Sequence, residues 1–191
     1  MWSCMGGKDR SMIIMIGGVP CSGKSTLTRN IISELGSAEL GEPMKLFTCQ
    51  KHGDVLVIGK YEPDQPFGGT DRLSYGTISK FREFIIQECP KYKHIIIEGD
   101  RFFRMKDIEW LVSEYDAKVF VLTISSLEEQ RRHVKRQDSQ TEKWLKGRRS
   151  QISNILTNMF LMDKIQVRNN ENKNDMIMIQ KELKELLWKN F

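Results

Sequence analysis

GGVPCSGKST, residues 17–26, stands between the apolar run MIIMI (Met12–Ile16) and the stretch KSTLTRNIISELG, which starts at Lys24. A short continuous apolar run closed by glycines is the pattern of a strand buried on both faces, so Met12–Ile16 is expected to be a central parallel strand. Leu27, Ile31, Ile32 and Leu35 recur at helical spacing, and Gly36 follows as a stop signal. Within this strand, loop and helix, Gly18 to Ser25 match G-x-x-x-x-G-K-[ST] without a gap. The glycines allow the backbone to curl, so that N–H groups from Cys21 to Thr26 point inward with the positive end of the helix dipole. Lys24 is expected to reach the β- and γ-phosphates of ATP, and Ser25 to bind Mg²⁺. Gly18, Cys21, Ser22, Gly23, Lys24, Ser25 and Thr26 therefore form the expected donor site, with Cys21 as a small neutral spacer.

Outward from this loop, apolar runs alternate with helical patterns. MKLFTCQ (Met44–Gln50) and DVLVIGKY (Asp54–Tyr61) read as a hairpin turning at Lys51-His52-Gly53. A Pro- and Gly-rich loop, Glu62–Gly76, follows, too long to be a mere connection. Next come a helix over about Thr77–Cys89, a buried strand HIIIEGD (His94–Asp100), and a helix around Met105–Tyr115. They are followed by the strand KVFVLTI (Lys118–Ile124), a basic helical region, a helix near Gln151–Phe160, and a short strand near Ile165–Arg168. Asp175 is expected to cap a last helix. This alternation predicts an α/β fold with a central, mostly parallel sheet flanked by helices and a single domain over residues 1–191. Ligands are expected at the carboxyl ends of the strands.

Composition excludes several classes. The chain has 191 residues, 39% hydrophobic and 29% charged, and no run nears the roughly 20 apolar residues that cross a bilayer. MWSCMGGKDR lacks the apolar core of a signal peptide, so a cytoplasmic location and no membrane are expected. Cys4, Cys21, Cys49 and Cys89 show no CxxC spacing, which argues against a zinc site or a disulfide framework. The net charge of +5 is local: eight basic residues face two acids between Arg131 and Arg149, a +6 segment that leaves −1 for the rest.

Glu98 and Asp100, at the end of the strand Ile95-Ile96-Ile97, are expected beside the phosphate loop, one toward Mg²⁺ and the other toward the acceptor. Spacing does not say which does which. Arg131, Arg132, Arg136, Arg148 and Arg149 have the character of a lid over about residues 126–150, with Arg132 and Arg136 on one helix face closing over the triphosphate. GGTDRLS (Gly68–Ser74) supplies Thr70, Asp71 and Arg72 to an expected acceptor pocket, with Tyr61, Phe67 and Tyr75 as stacking surfaces and Arg101 nearby. Either Asp71 or Asp100 could take a proton from an attacking hydroxyl.

A small phosphate-loop domain with a strand-end EGD, an arginine-rich segment and a polar turn before the last helix resembles the nucleoside and nucleotide kinase group of P-loop proteins. That resemblance implies a P-loop kinase fold with a hairpin and loop insertion and an arginine-rich lid. It also implies contact between the donor adenine and Arg168 to Asn170. VLVIGKY, FGGTDRLS, IIIEGDRFF and LKGRRSQISNI further resemble phage P-loop kinases, among them those that phosphorylate 5-hydroxymethyluracil in DNA. The implied reaction moves the ATP γ-phosphate to the hydroxymethyl oxygen of a base in DNA, in the host cell cytoplasm. The alternatives are a nucleoside monophosphate kinase, in which Arg72 and Arg101 hold the acceptor phosphate, and an ATPase or switch module without transfer. Oligomeric state is not legible.

Overall fold

The computed structural model describes residues 11–62, 65, 68–136 and 140–188. Cys4, Phe67 and Asp138 lie outside the described residues. Seven strands make one sheet: β1 (Met12–Gly18), β2 (Glu39–Met44), β3 (Phe47–His52), β4 (Val55–Ile58), β5 (His94–Glu98), β6 (Asp116–Thr123) and β7 (Ile165–Asn169). Their order is β2-β3-β4-β5-β1-β6-β7. β4–β5, β5–β1, β1–β6 and β6–β7 are parallel, whereas β2–β3 and β3–β4 are antiparallel.

β1 is buried along its whole length, as a strand covered on both faces must be. The two-residue period of its side chains divides the core. Ile13 and Met15 face a cluster with α2 (Phe81–Glu88), α3 (Met105–Glu114) and α5 (Glu142–Leu156). Met12, Ile14 and Ile16 face a second cluster with α1 (Lys24–Ile32) and α6 (Lys173–Trp188). Phenylalanines fill the first cluster in parallel stacks, Phe47 on Phe84 and Phe81 on Phe102, each 4.2 Å between ring centroids. α4 (Ser126–Arg136) carries its basic residues beside the sheet's carboxyl end.

Several expectations are corrected. The hairpin is no insertion, because β4 pairs with β5 inside the main sheet. Its first strand begins at Phe47, and Met44 instead ends β2, an exposed edge strand with a polar pattern too weak to announce itself. α1 stops at Ile32, four residues before Gly36. The expected helix from Thr77 is a 3-10 turn, Tyr75–Lys80, leading into α2. α5 runs unbroken from Glu142 to Leu156, so a lid ending at 150 would cut through a continuous helix. Asn172, not Asp175, caps α6: Asn172 Oδ1 accepts the Asp175 N–H at 3.2 Å while Asp175 Oδ2 accepts the Asn172 N–H at 3.1 Å. This reciprocal arrangement is a capping box with Asp175 at its third position.

Candidate active site

The loop after β1 depends on backbone conformations that side chains seldom adopt. Cys21 has φ 55 and Gly23 φ 88. A Cβ on Gly23 would stand 2.7 Å from Asn170 Nδ2 and 2.9 Å from Met176 Cε, and its residue would have to adopt φ 88, so a side chain there would be strained and would displace those two side chains. Cys21 adopts the left-handed region with a side chain, at a cost of about 1 kcal/mol or more. The Lys24 ammonium arches back over the loop and donates to the carbonyls of Gly18 and Val19, both at 3.1 Å.

Strand register brings the carboxylates to this loop. Ile16 pairs with Glu98, so the turn after β5 emerges next to residues 18–25. Ser25 Oγ donates to Glu98 Oε1 at 3.1 Å, and the Tyr61 hydroxyl donates to Glu98 Oε2 at 2.6 Å. Glu98 is fully buried, and burial pushes its carboxyl up to about 7. Tyr61 is pushed up as well, by its own burial and then by the charge of Glu98. Asp100 instead lines the cleft, its Oδ1 2.8 Å from Arg148 Nη2 and 3.9 Å from Lys24 Nζ. The two acids of EGD thus divide: Glu98 stands behind Ser25, and Asp100 faces the open space.

Asp71 joins them from the 3-10 turn Thr70–Arg72, with its Oδ1 accepting the Asp100 N–H at 2.7 Å. Burial raises the Asp71 carboxyl above its ordinary value, and the neighbouring charge of Asp100 raises it further. This close approach requires Gly99, where φ is 119 and a Cβ would lie 2.6 Å from Thr70 Oγ1.

The arginines divide by their partners. Arg136 and Arg148 line the cleft, and Arg136 Nη1 lies 3.6 Å from Cys21 Sγ. Arg132, expected to close over the triphosphate with Arg136, does other work. It pairs with Glu128 and donates to the carbonyls of Cys21 at 3.2 Å, Asn170 at 2.7 Å and Glu171 at 3.0 Å. Arg132 therefore ties the loop after β1 to the β7–α6 connection. Arg131 pairs with Glu128, and Arg149 with Glu129 and Glu142, both away from the cleft. Arg168, expected at the donor, is bound to Glu182 on α6 and lines neither the cleft nor the recess beside it. From that polar turn Asn170 does reach the loop, donating to the Ser22 carbonyl at 2.6 Å.

On the expected acceptor side, Arg72 is exposed and held by Glu62 and Gln65, outside the cleft lining. Thr70 is wholly buried beneath Gly99. Tyr61, only 8% exposed and bonded to Glu98, has no free face for a base. Tyr75 and Arg101 do line the cleft, as does Asp71. Arg104, one of the basic residues that follow the EGD strand, also lines it, and so do Arg29, Trp144 and Gln151, which were not among the expected site residues. Trp144, Arg148 and Gln151 fall at i, i+4 and i+7, a helical stripe that spacing could have revealed had the helix been read as continuous.

The cleft has a volume of about 420 Å³, and six basic side chains and two carboxylates line it. Mg²⁺ bound with phosphates needs only one or two protein oxygens, and Ser25 backed by Glu98 fits that hard-oxygen chemistry. Among the described residues no group of three or more His, Cys, Asp or Glu is spaced to hold a metal alone. Nor is any helix among them long and apolar enough to cross a membrane. Set against models of known protein families and against curated proteins, the chain matches none.

Proposed function

We propose that this chain is an ATP-dependent phosphotransferase of the P-loop kinase type, acting on a hydroxyl of a nucleobase-containing acceptor. The sequence resemblance favours the hydroxymethyl group of 5-hydroxymethyluracil in DNA as that hydroxyl. One observation carries the reading: a complete phosphate loop shares one cleft with two carboxylates, Asp71 and Asp100, and with the arginines 136 and 148. The loop supplies the donor site, and the acids supply what a mere phosphate-binding loop would not need, a proton acceptor beside it.

In the reaction the acceptor oxygen attacks the γ-phosphorus, the bond to the β–γ bridging oxygen breaks, ADP departs with that oxygen, and the hydroxyl proton passes to a carboxylate. Asp71 suits the proton, since its carboxyl is raised above the ordinary aspartate value by burial, while Asp100 is occupied by Arg148. Lys24, Arg136 and Arg148 spread the negative charge that develops on the transferred group. Mg²⁺ held at Ser25 and Glu98 would neutralise charge on the β- and γ-oxygens.

A second reading, a nucleoside monophosphate kinase, is favoured by Arg29 and Arg101. Among the described residues neither has a carboxylate within ion-pair distance, and each keeps a buried Nε without a hydrogen-bond partner. Such guanidinium groups suit an acceptor phosphate. The test is incubation with γ-labelled ATP and, separately, hydroxymethyluracil-containing DNA, unmodified DNA and a panel of nucleoside monophosphates. Label in the modified DNA alone supports the first reading, and label in the monophosphates supports the second. Phosphate release without transfer to any acceptor would overturn both. In the productive arm Asp71→Asn should lower kcat by roughly 10²–10⁴-fold, more than Asp100→Asn.

A further inference from the structure

Two aromatic side chains line the cleft with much of their surface open, Tyr75 at 78% and Trp144 at 40% exposure. Neither stacks on another aromatic ring among the described residues, where the ring pairs belong to Phe47, Phe81, Phe84, Phe102, Trp110 and Tyr115. Both are tied to Asp100 by short routes. Trp144 sits four residues before Arg148 on α5, one turn of about 5.4 Å along the same helix face, and Arg148 Nη2 is 2.8 Å from Asp100 Oδ1. Tyr75 carries the guanidinium of Arg101, the residue after Asp100, with its Cζ 3.7 Å from the ring centroid. A hydrogen bond donated by Arg101 Nη2 to the Asp71 backbone carbonyl, at 3.1 Å, holds that stacked pair in place.

We propose that Trp144 and the Tyr75–Arg101 stack form the base-binding subsite of the acceptor, holding the flat heteroaromatic ring of a nucleotide unit beside Asp71 and Asp100. A planar ring can lie on an indole and on a guanidinium with its edges free, which is how sequence-tolerant stacking sites hold a base. A small polar acceptor such as a sugar alcohol would gain nothing from these surfaces. The assignment also relocates the stacking role, since Tyr61 has no free face. It rests on the phosphotransferase reading for the word acceptor, but the stacking itself is testable without ATP.

The probes are thymidine 5′-monophosphate, a short single-stranded oligonucleotide containing 5-hydroxymethyluracil, and ribose 5-phosphate, which has a phosphate and no base. Binding is followed by calorimetry and by tryptophan fluorescence. The base-bearing probes should quench the wild-type emission, and Trp144→Leu should abolish most of that quenching. Trp144→Leu and Tyr75→Leu should each weaken a base-bearing probe by roughly 5- to 150-fold, with Trp144→Phe and Tyr75→Phe restoring most of it. Ribose 5-phosphate should bind all variants alike, which a merely structural role for the rings would not produce. Tighter binding of the oligonucleotide would identify a strand as the source of the base, and tighter binding of the monophosphate a free nucleotide. Equal losses for all three probes, or unchanged base affinity in the leucine variants, would overturn the subsite. Wild-type protein that stacks bases but binds no ATP would remove the phosphotransferase reading and leave the stacking site standing.

Discussion

The glycine-rich loop after β1 and the arginine-bearing helices α4 and α5 present their polar groups by opposite means. The loop is a piece of backbone held between the buried strand β1 and the start of α1, and its conformation is fixed mainly by its own carbonyls and amides, with Asn170, Arg132 and Glu98 against it. The arginines of α4 and α5 are long side chains on exposed helices, and what sorts them is the partner each one meets. Arg131 and Arg149 meet carboxylates and stop there, Arg132 meets the backbone carbonyls of the loop and the β7–α6 connection, and Arg148 meets Asp100 in the cleft. Chemically identical residues within 19 positions of sequence thus acquire different tasks from their surroundings.

The sharpest way to break this comparison is to remove one group from each side. Lys24→Ala should reduce phosphoryl transfer from ATP by roughly 10²–10³-fold or more while the protein still unfolds cooperatively, as followed by rate assays and circular dichroism. Full activity in that variant would end the donor-site assignment. Arg148→Ala and Arg132→Ala come next, and they should diverge. The first should lower kcat by roughly 10²-fold with little change in Tm. The second takes a donor from three backbone carbonyls and leaves Glu128 to Arg131 alone, and should cost about 1–3 kcal/mol of stability and weaken ATP binding. Equal effects on stability and kcat would mean that the two arginines are not distinct.

A smaller effect is expected at Tyr61→Phe. The buried Glu98 would lose its 2.6 Å donor, for a loss of about 1–3 kcal/mol in denaturant unfolding. The smallest concerns thiols. Burial pushes the Cys49 thiol up to about 12 from an ordinary 9.0 and raises Cys89 too, whereas Cys21 is half-buried on the cleft. Native alkylation at pH 8, read by mass spectrometry, should therefore label Cys21 ahead of Cys49 and Cys89, and ATP should slow it. Because the fold favours the neutral Cys49 thiol, its contribution to stability is full below pH 9 and declines as pH rises from about 9 toward 12. Cys49→Ala should flatten that decline.

Much of this arrangement was legible in the chain alone, for reasons of proximity along it. Met12–Ile16, Gly18–Ser25 and the helix from Lys24 are contiguous, and the strand His94–Glu98 is apolar enough to be read without neighbours. Such local signals also implied a mostly parallel sheet with Glu98 and Asp100 at its carboxyl edge, as the register Ile16 to Glu98 bears out. The edge strand β2 escaped because its exposed residues carry no apolar alternation. The helix α5 was divided because its basic and apolar stretches were read as separate elements. Arg72 is expected at the site from the composition of its loop and Arg168 from the family resemblance, and both have acidic partners outside the cleft, Glu62 and Glu182.

Residue order by itself determined the glycine-rich loop after β1, the alternation of strands and helices, and the presence of two acids after an apolar strand, since each is written in adjacent positions. Only the tertiary structure decided that Glu98 stands behind Ser25 while Asp100 faces Arg148, and that Asp71 bonds the backbone beside it. It alone showed that Tyr61 is closed off and that Tyr75 and Trp144 line one cleft. Those roles follow from burial and from contacts between positions tens of residues apart, and a side chain's partner across such a separation is set by packing rather than by spacing.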